Sequence, residues 1–268
     1  MQIIRFENQD GLTCLGTDYD GSSATPLEGG LYSGPTPSDE RMAVGKLLPP
    51  VDPRAILCIG LNYRRHAGEI GMDVPRYPVV FMKNPAAAAA HGDAIVLPAV
   101  CREKPEVDYE AELGVVIGRP AKNVSEEDAL SHVLGYTVAN DVSARRWQKH
   151  AGGGQWVRGK SFDTFCPFGP ALVTRDEVPD PQDLDIRLSL NGRILQQSNT
   201  GDMIFPVARI ISYLCRSTTL LPGTLILTGT PEGVGYTRNP PVYLTPGDRI
   251  EISISGVGTL ENRVAAED

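Results

Sequence analysis

The strongest constraint on the fold is the stretch Asp108-Tyr-Glu-Ala-Glu-Leu-Gly-Val-Val-Ile-Gly118. Side chains alternate along a strand. Tyr109, Ala111, Leu113, Val115 and Ile117 therefore share one face, and Glu110, Glu112, Gly114 and Val116 share the other. The odd face is apolar and requires a core. The even face opens with two carboxylates about 7 Å apart, two rises of roughly 3.4 Å. Like charges at that spacing repel. Either a compensating charge such as a divalent cation holds them, or they close a strand in solvent.

The 268 residues suit one large domain, or one with a small appendage. The net charge of −8 argues against general affinity for nucleic acid. An anionic substrate would need local cations in that field. Apolar runs are too short to span a bilayer, and Met1-Gln-Ile-Ile-Arg-Phe lacks the basic and apolar regions of a signal peptide. A soluble, cytoplasmic protein is expected, with the mitochondrial matrix as the alternative for a eukaryotic chain. The five cysteines (14, 58, 101, 166, 215) contain no C-x-x-C pair, which argues against a disulfide framework or a zinc knuckle. Cys58 reads as a small buried hydrophobe.

Residues 1–50 read as a small β-rich N-terminal domain, with a hairpin over 3–6 and 12–17 and a further strand over 42–48. Pro49-Pro50-Val-Asp-Pro53 reads as a stiff link to a body spanning 51–268. In the body, strands are expected at 55–60, 79–83, 93–97 and 133–140. Residues 62–71 are helical in period but carry Gly68 and Gly71, which suits a mobile lid. Ser125 caps a short helix through 130. Residues 142–150 read as helix, stopped by glycines 152–154. Asn191-Gly192 joins strands 184–190 and 193–197 through a type I′ turn. A helix over 206–215 starts on Pro206, and strands at 225–227, 242–244, 249–254 and 258–264 follow. The class is α+β, mainly β.

Glu110, Glu112 and Asp141 are three acids at strand ends with no His or Cys beside them. If they share an ion, hard oxygen donors select Mg²⁺, Mn²⁺ or Ca²⁺ over zinc; the alternative is surface charge. His66 and Glu69 lie three apart, so on a helix Glu69 can orient the imidazole for proton transfer, or the two form an ordinary exposed pair. Residues 154–161 satisfy G-x-x-x-x-G-K-[ST]. The context lacks a preceding buried strand and a following helix, so nucleotide binding is rejected. Lys160 is left as a cation in a Gly-rich loop, able to receive a carboxylate or oxyanion. Residues 227–235, with Gly229 and Thr230, offer backbone and hydroxyl donors for substrate oxygens or form a plain turn.

Taken in order, Asn62-Tyr63…His66…Glu69, Phe81-Met-Lys83, Glu110-x-Glu112-Leu-Gly-Val-Val-Ile-Gly, Asn140-Asp141-Val-Ser-Ala-Arg145, Gly159-Lys160-Ser-Phe-Asp-Thr-Phe-Cys-Pro and Leu227-Thr-Gly-Thr230-Pro-x-Gly-Val-Gly resemble the fumarylacetoacetate hydrolase family over residues 55–265. The resemblance implies that family's mixed β-sandwich roll with a small N-terminal β-rich appendage, and a homodimer. It implies Glu110, Glu112 and Asp141 as ligands of Mg²⁺ or Mn²⁺, and His66, Glu69 and Lys160 as catalytic groups. It implies Arg145, Gln148, Thr230, Gly229 and Lys83 as substrate-binding. Members of the nearest branch, which includes oxaloacetate tautomerases, often carry an acid where this chain has Arg146, which adds a positive charge beside the site. The activity implied is metal-dependent chemistry on 2-oxo or 2,4-diketo acids through an enolate. Carbon–carbon bond hydrolysis of an acylpyruvate leads. Oxaloacetate tautomerisation or decarboxylation is the alternative, and a non-catalytic ligand-binding relative the third. The expected partner is a small keto acid, with neither nucleic acid nor membrane.

Overall fold

The computed structural model describes residues 1–151 and 153–268. Strand Ala111–Ile117 runs through the middle of a 13-stranded sheet. Val133–Asn140 and Thr224–Leu227 flank it, both antiparallel. Beyond Thr224–Leu227 come Ala55–Gly60, parallel to it, and the edge strand Val79–Lys83. On the other side Cys166–Thr174 pairs with Val133–Asn140, and Gln2–Glu7 pairs with Cys166–Thr174. The N-terminal hairpin Gln2–Glu7/Thr13–Thr17 thus extends this sheet while packing Ile4, Phe6 and Ala24 into a small core of its own. A second sheet of five strands contains Ala94–Leu97, Gly258–Ala266, Arg249–Ile254, Asp185–Leu190 and Arg193–Asn199. One apolar core joins Leu113, Val115 and Leu225 of the first sheet to Ile186, Ile252 and Leu260 of the second. This is the mainly β, two-sheet arrangement expected.

All seven residues of Ala111–Ile117 are buried, so both faces of this strand are covered. The solvated strand-end alternative for Glu110 and Glu112 therefore fails. The stretch is also broken, with a short pairing at Val107–Asp108 before the strand proper. The cause is a run of amides that bond to side chains in place of a ladder. Tyr109 N–H donates to Asp108 Oδ1 (2.8 Å), Glu110 N–H to Asn140 Oδ1 (3.0 Å) and Ala111 N–H to Gln196 Oε1 (2.9 Å).

Among the described residues four α-helices form, all short: α1 Arg64–Glu69, α2 Glu126–Ala129, α3 Trp156–Lys160 and α4 Val207–Leu214. The Ser125 hydroxyl caps α2 through the Asp128 N–H, as its sequence suggests. Asn191 and Gly192 both take positive φ (53° and 80°), as a type I′ turn requires. Among the described residues no helix is long and apolar enough to cross a membrane.

Several boundaries differ from the sequence reading. The helix expected over 142–150 begins as a strand, Ser143–Ala144, paired with Val107–Asp108. Winding starts only at Arg145, where the Glu106 carbonyl and carboxylate accept the N–H groups of Arg145 and Arg146. It then widens into a π-helical turn, Trp147–Ala151. Lys160 ends a helix, α3, rather than sitting in a glycine loop. Gly159 lets α3 press on that turn, since a Cβ there would lie 2.4 Å from Gln148 N. Residues 242–244 form no strand; Val242 and Leu244 donate singly to Gly235 and Val107 carbonyls. Residues 42–48 split into Met42–Ala43 and Lys46–Leu48. Pro206 caps α4 from outside its first turn.

Candidate active site

Three strand ends meet at one place. Glu110 precedes Ala111–Ile117, Glu112 lies within it, and Asp141 follows Val133–Asn140. One carboxylate oxygen from each lies within 4.8 Å of the others, and the three residues are 7%, 1% and 0% exposed. The backbone clamps this meeting point, because Asp141 N–H donates to Glu110 O (2.9 Å).

The cations around the trio are as buried as the acids. Lys160 Nζ donates to Glu110 Oε2 and to Asp141 Oδ2, both at 2.8 Å. Lys83 Nζ bonds Asp141 Oδ1 and donates to the Val142 carbonyl (3.0 Å). Arg145 reaches Glu110 Oε1 (2.7 Å) and Asp108 Oδ2 (2.8 Å). Four carboxylates (Asp108, Glu110, Glu112, Asp141) thus face three cations (Lys83, Arg145, Lys160), one positive charge too few. The shortfall falls on Glu112. Among the described residues it has no cationic partner, only the Gly229 N–H (2.6 Å). Burial, and then repulsion from Asp141 and Glu110, push its pKa well above the ordinary carboxylate value. Burial also acts on Glu110, but Lys160 and Arg145 overcome it and hold that carboxyl at about 2. An all-oxygen donor set, buried, converging and one charge short fits a hard divalent cation.

Glu110 and Glu112 of the trio line a cavity of about 480 Å³, together with His66, Glu69, Arg145, Gln148, Lys160 and Thr230, with Phe81, Trp156 and Val79 as apolar wall. His66 Nδ1 lies 2.9 Å from Glu69 Oε2, so the two do form a pair on α1. Burial raises the Glu69 pKa, but hydrogen bonds from His66, Thr237 and the Gly233 amide outweigh it and hold the carboxyl below its usual value. An ionised Glu69 can only accept at this contact, so Nδ1 carries the hydrogen and, in the neutral imidazole, Nε2 is the unprotonated nitrogen. Helix α1 is docked, not loose. Glu69 Oε1 accepts from Gly233 N–H (3.0 Å) and Thr237 Oγ1 (2.9 Å), and Arg64 donates to Met203 O (2.6 Å). Asn62, just before α1, is wholly buried and bonds the backbone of Phe205 and Thr228.

Gln148 Oε1 accepts from Arg145 Nη1 (3.1 Å), and Thr230 Oγ1 accepts from Gln196 Nε2 (2.9 Å), so both polar heads are aimed before a ligand arrives. Two expected substrate contacts are placed otherwise. Lys83 is 1% exposed and does not line the cavity, because its ammonium turns to Asp141. Gly229 does not line it either, and its N–H is engaged by Glu112. Arg146 adds no charge to the site, since its guanidinium turns to Glu106 (3.2 Å) and the Val100 carbonyl. Among residues to which no role was assigned, Asp108 is the most consequential. It is fully buried and accepts from Arg145 Nε, Tyr109 N–H, Gly235 N–H (2.7 Å) and Tyr236 N–H (3.1 Å). Tyr236 and Thr237 also line the cavity, and Gln196 holds Thr230. Only Asp108, an acid two residues before Glu110 on the same alternation, left a signal in the sequence.

The fold is thus a two-sheet β arrangement whose converging strand ends carry a buried acidic trio, able to hold a hard cation, beside a His–Glu pair. Residues 55–265 match the family model described as fumarylacetoacetate (FAA) hydrolase C-terminal, and the chain belongs to that family. It is 47% identical over 224 residues to "Oxaloacetate tautomerase fahd2, mitochondrial" of Xenopus laevis, covering 84% of this chain and 69% of that one. It is 48% identical over 228 residues to "Fumarylacetoacetate hydrolase domain-containing protein 2 homolog" of Dictyostelium discoideum, covering 82% and 74%. Among solved structures, a 2-hydroxyhepta-2,4-diene-1,7-dioate isomerase from Mycobacterium marinum matches with a TM-score of 0.85 at 37% identity, over 100% of this chain and 99% of that one. A 5-carboxymethyl-2-hydroxymuconate delta-isomerase from Mycobacterium smegmatis matches with a TM-score of 0.86 at 35% identity, over the full length of both.

Proposed function

We propose that this enzyme interconverts the enol and keto forms of a 2-oxo acid of the oxaloacetate type, with Mg²⁺ or Mn²⁺ held by Glu110, Glu112 and Asp141. The observation that carries the reading is that Glu110 and Glu112 of the buried trio line the same cavity as the His66–Glu69 pair. The names of two of the relatives, a tautomerase and an isomerase, describe proton shifts of this kind and support it. When bound, the cation would draw electron density from the 2-oxo group and so acidify the protons on C3.

The chain's own groups do the rest. Glu69 fixes the imidazole tautomer, and His66 Nε2 takes a proton from C3 as the C3–H electron pair moves into the C2–C3 bond. The C2 oxygen collects the negative charge and receives, through solvent, the proton that His66 carries, which regenerates the imidazole and completes keto to enol; the reverse returns the proton to C3. Lys160 stays charged, because burial, which would lower its pKa, is outweighed by Asp141 and Glu110. A fixed ammonium near the developing oxyanion is preorganised stabilisation, commonly the largest single catalytic term. Arg145, Gln148 and Thr230 orient the carboxylate end.

The same His66–Glu69 pair suits activation of a water, so hydrolysis of an acylpyruvate is the second reading. The test follows the ultraviolet absorbance of oxaloacetate enol and of acetylpyruvate, each with Mg²⁺ or with EDTA. Mg²⁺-dependent enol–keto exchange well above the buffer rate is expected. Exchange no faster than buffer, with acetylpyruvate cleaved, would replace the first reading by the second. Full activity after verified metal removal would dismiss the cation.

A further inference from the structure

Four basic side chains line the cavity: His66, Arg145, Lys149 and Lys160. Three already face carboxylates. His66 is paired with Glu69, Arg145 with Asp108 and Glu110, and Lys160 with Glu110 and Asp141. Among the described residues, Lys149 alone of the four has no carboxylate in ion-pair contact. Its Nζ rests 3.9 Å from the Tyr236 ring centroid, and Arg145 Cζ lies 4.5 Å from the same centroid. Burial of its stem and then the Arg145 charge pull the Lys149 pKa below its ordinary value. An anion arriving between the two cations would relieve that repulsion. Lys149 is also exposed, on the π-helical turn Trp147–Ala151 that follows Arg145, whereas the acidic trio is buried. The cavity therefore has a deep end that suits a 2-oxo carboxylate and an outer cation with nothing to bind.

We propose that Lys149 is a specificity-determining residue that receives the distal carboxylate of a dianionic 2-oxo acid. The inference rests on the keto-acid reading of this cavity and names the substrate class within it: dicarboxylates over monocarboxylates of the same reach. Tyr236 is the platform that holds the ammonium at the mouth, by attraction between the cation and the ring face.

The test compares oxaloacetate with acetylpyruvate, in which an acetyl group stands where oxaloacetate has its distal carboxylate. Steady-state constants are measured with Mg²⁺ for the wild type, K149M and K149R. Binding of both acids is followed in parallel by calorimetry. The expected result is that the preference for the dicarboxylate, taken as the ratio of the two kcat/KM or affinity values, falls about tenfold in K149M, or about 1.4 kcal/mol. The loss sits in KM rather than kcat, and K149R restores most of it. Raising the salt concentration should narrow the wild-type preference and leave that of K149M nearly flat, because the pair is partly solvated. A preference unchanged within twofold in K149M overturns the proposal, and so does an equal loss for both acids, which would mark a structural role. Both outcomes leave the keto-acid reading intact. A wild type that neither binds nor turns over either acid removes that reading itself, and Lys149's role with it.

Discussion

Replacing Asp108 by Asn tests whether the acid cluster is held by a fully buried member outside the trio. Asp108 Oδ1 accepts from Tyr109 N–H and Gly235 N–H, and Oδ2 accepts from Arg145 Nε and Tyr236 N–H, with Arg145 Nη2 at 2.8 Å. An amide has the same shape but one oxygen, so its NH₂ must face at least two donors whichever way it turns. The charge that balances Arg145 also disappears, and Glu110 remains the guanidinium's only carboxylate partner. Breaking a buried pair from one side costs about 3–5 kcal/mol, a large part of the ~5–15 kcal/mol that keeps a protein folded. With a urea m value near ~3 kcal/mol/M, the unfolding midpoint of D108N should fall by about 1–2 M. The guanidinium also loses its orientation, so kcat/KM should drop at least ~10-fold, equivalent to ~1.4 kcal/mol of transition-state stabilisation. Adding R145M to D108N removes the orphaned cation and should recover part of the stability, though not the activity. A midpoint shift below about 0.3 M, with kcat/KM intact, would refute the reasoning that charge pairing at Asp108 supports the site.

Divalent cation at a hundredfold excess over its dissociation constant should stabilise the protein by about 2.7 kcal/mol; EDTA should reverse the shift, and E112Q should abolish it in a thermal melt. Glu69 has a lowered folded pKa, so its contribution to docking α1 is full above its ordinary value of 4.5 and is lost as pH falls through the lower folded value. Hydrogen exchange over residues 64–70 should therefore speed up only on acidification past 4.5, and E69Q should exchange fast at every pH; identical profiles would dismiss the tie. G159A must push a Cβ to within 2.4 Å of Gln148 N and 2.8 Å of Ala144 O, neither of which is a flexible side chain. It should cost about 1–3 kcal/mol or more in urea and displace Lys160. G68A meets nothing within 4 Å inside α1 and should instead stabilise that helix by ~0.5–1 kcal/mol, slowing its exchange.

Period and residue type carried the strands, the Asn191-Gly192 turn and the acids at strand ends, because those features follow from local geometry. Depth was not legible. Alternation places Glu110 and Glu112 on one face, but what covers that face comes from chain far away: Lys160 is 50 residues on, and the Gly229 amide 117. The same applies to direction. Lys83 and Arg146 are basic residues near the site in sequence, and each turns to an acid that alternation does not reveal. The π-helical turn after Arg145 was hidden because residues 142–150 read as ordinary helix, while the strand pairing at Ser143–Ala144 and the Glu106 cap that delay it are tertiary.

The charge count around the trio bears on what the cavity admits. With its four acids ionised, the cluster is one positive charge short, and that shortfall lies on Glu112. A divalent cation reverses the sign, leaving one positive charge in excess at the buried end. A 2-oxo carboxylate then balances it, whereas a neutral ligand would leave a net charge in a low-dielectric site. A second carboxylate on the same molecule cannot also be balanced there, since Lys83, Arg145 and Lys160 are already engaged. It has to be met elsewhere, and Lys149 is the cavity's remaining cation. Cation and anions should therefore bind in order: metal before substrate, with the affinity of a dicarboxylate falling sharply when the metal is withheld. Calorimetric titration of oxaloacetate into metal-free and Mg²⁺-loaded protein checks this, and equal affinity in the two would break the link between the Glu112 charge and substrate entry.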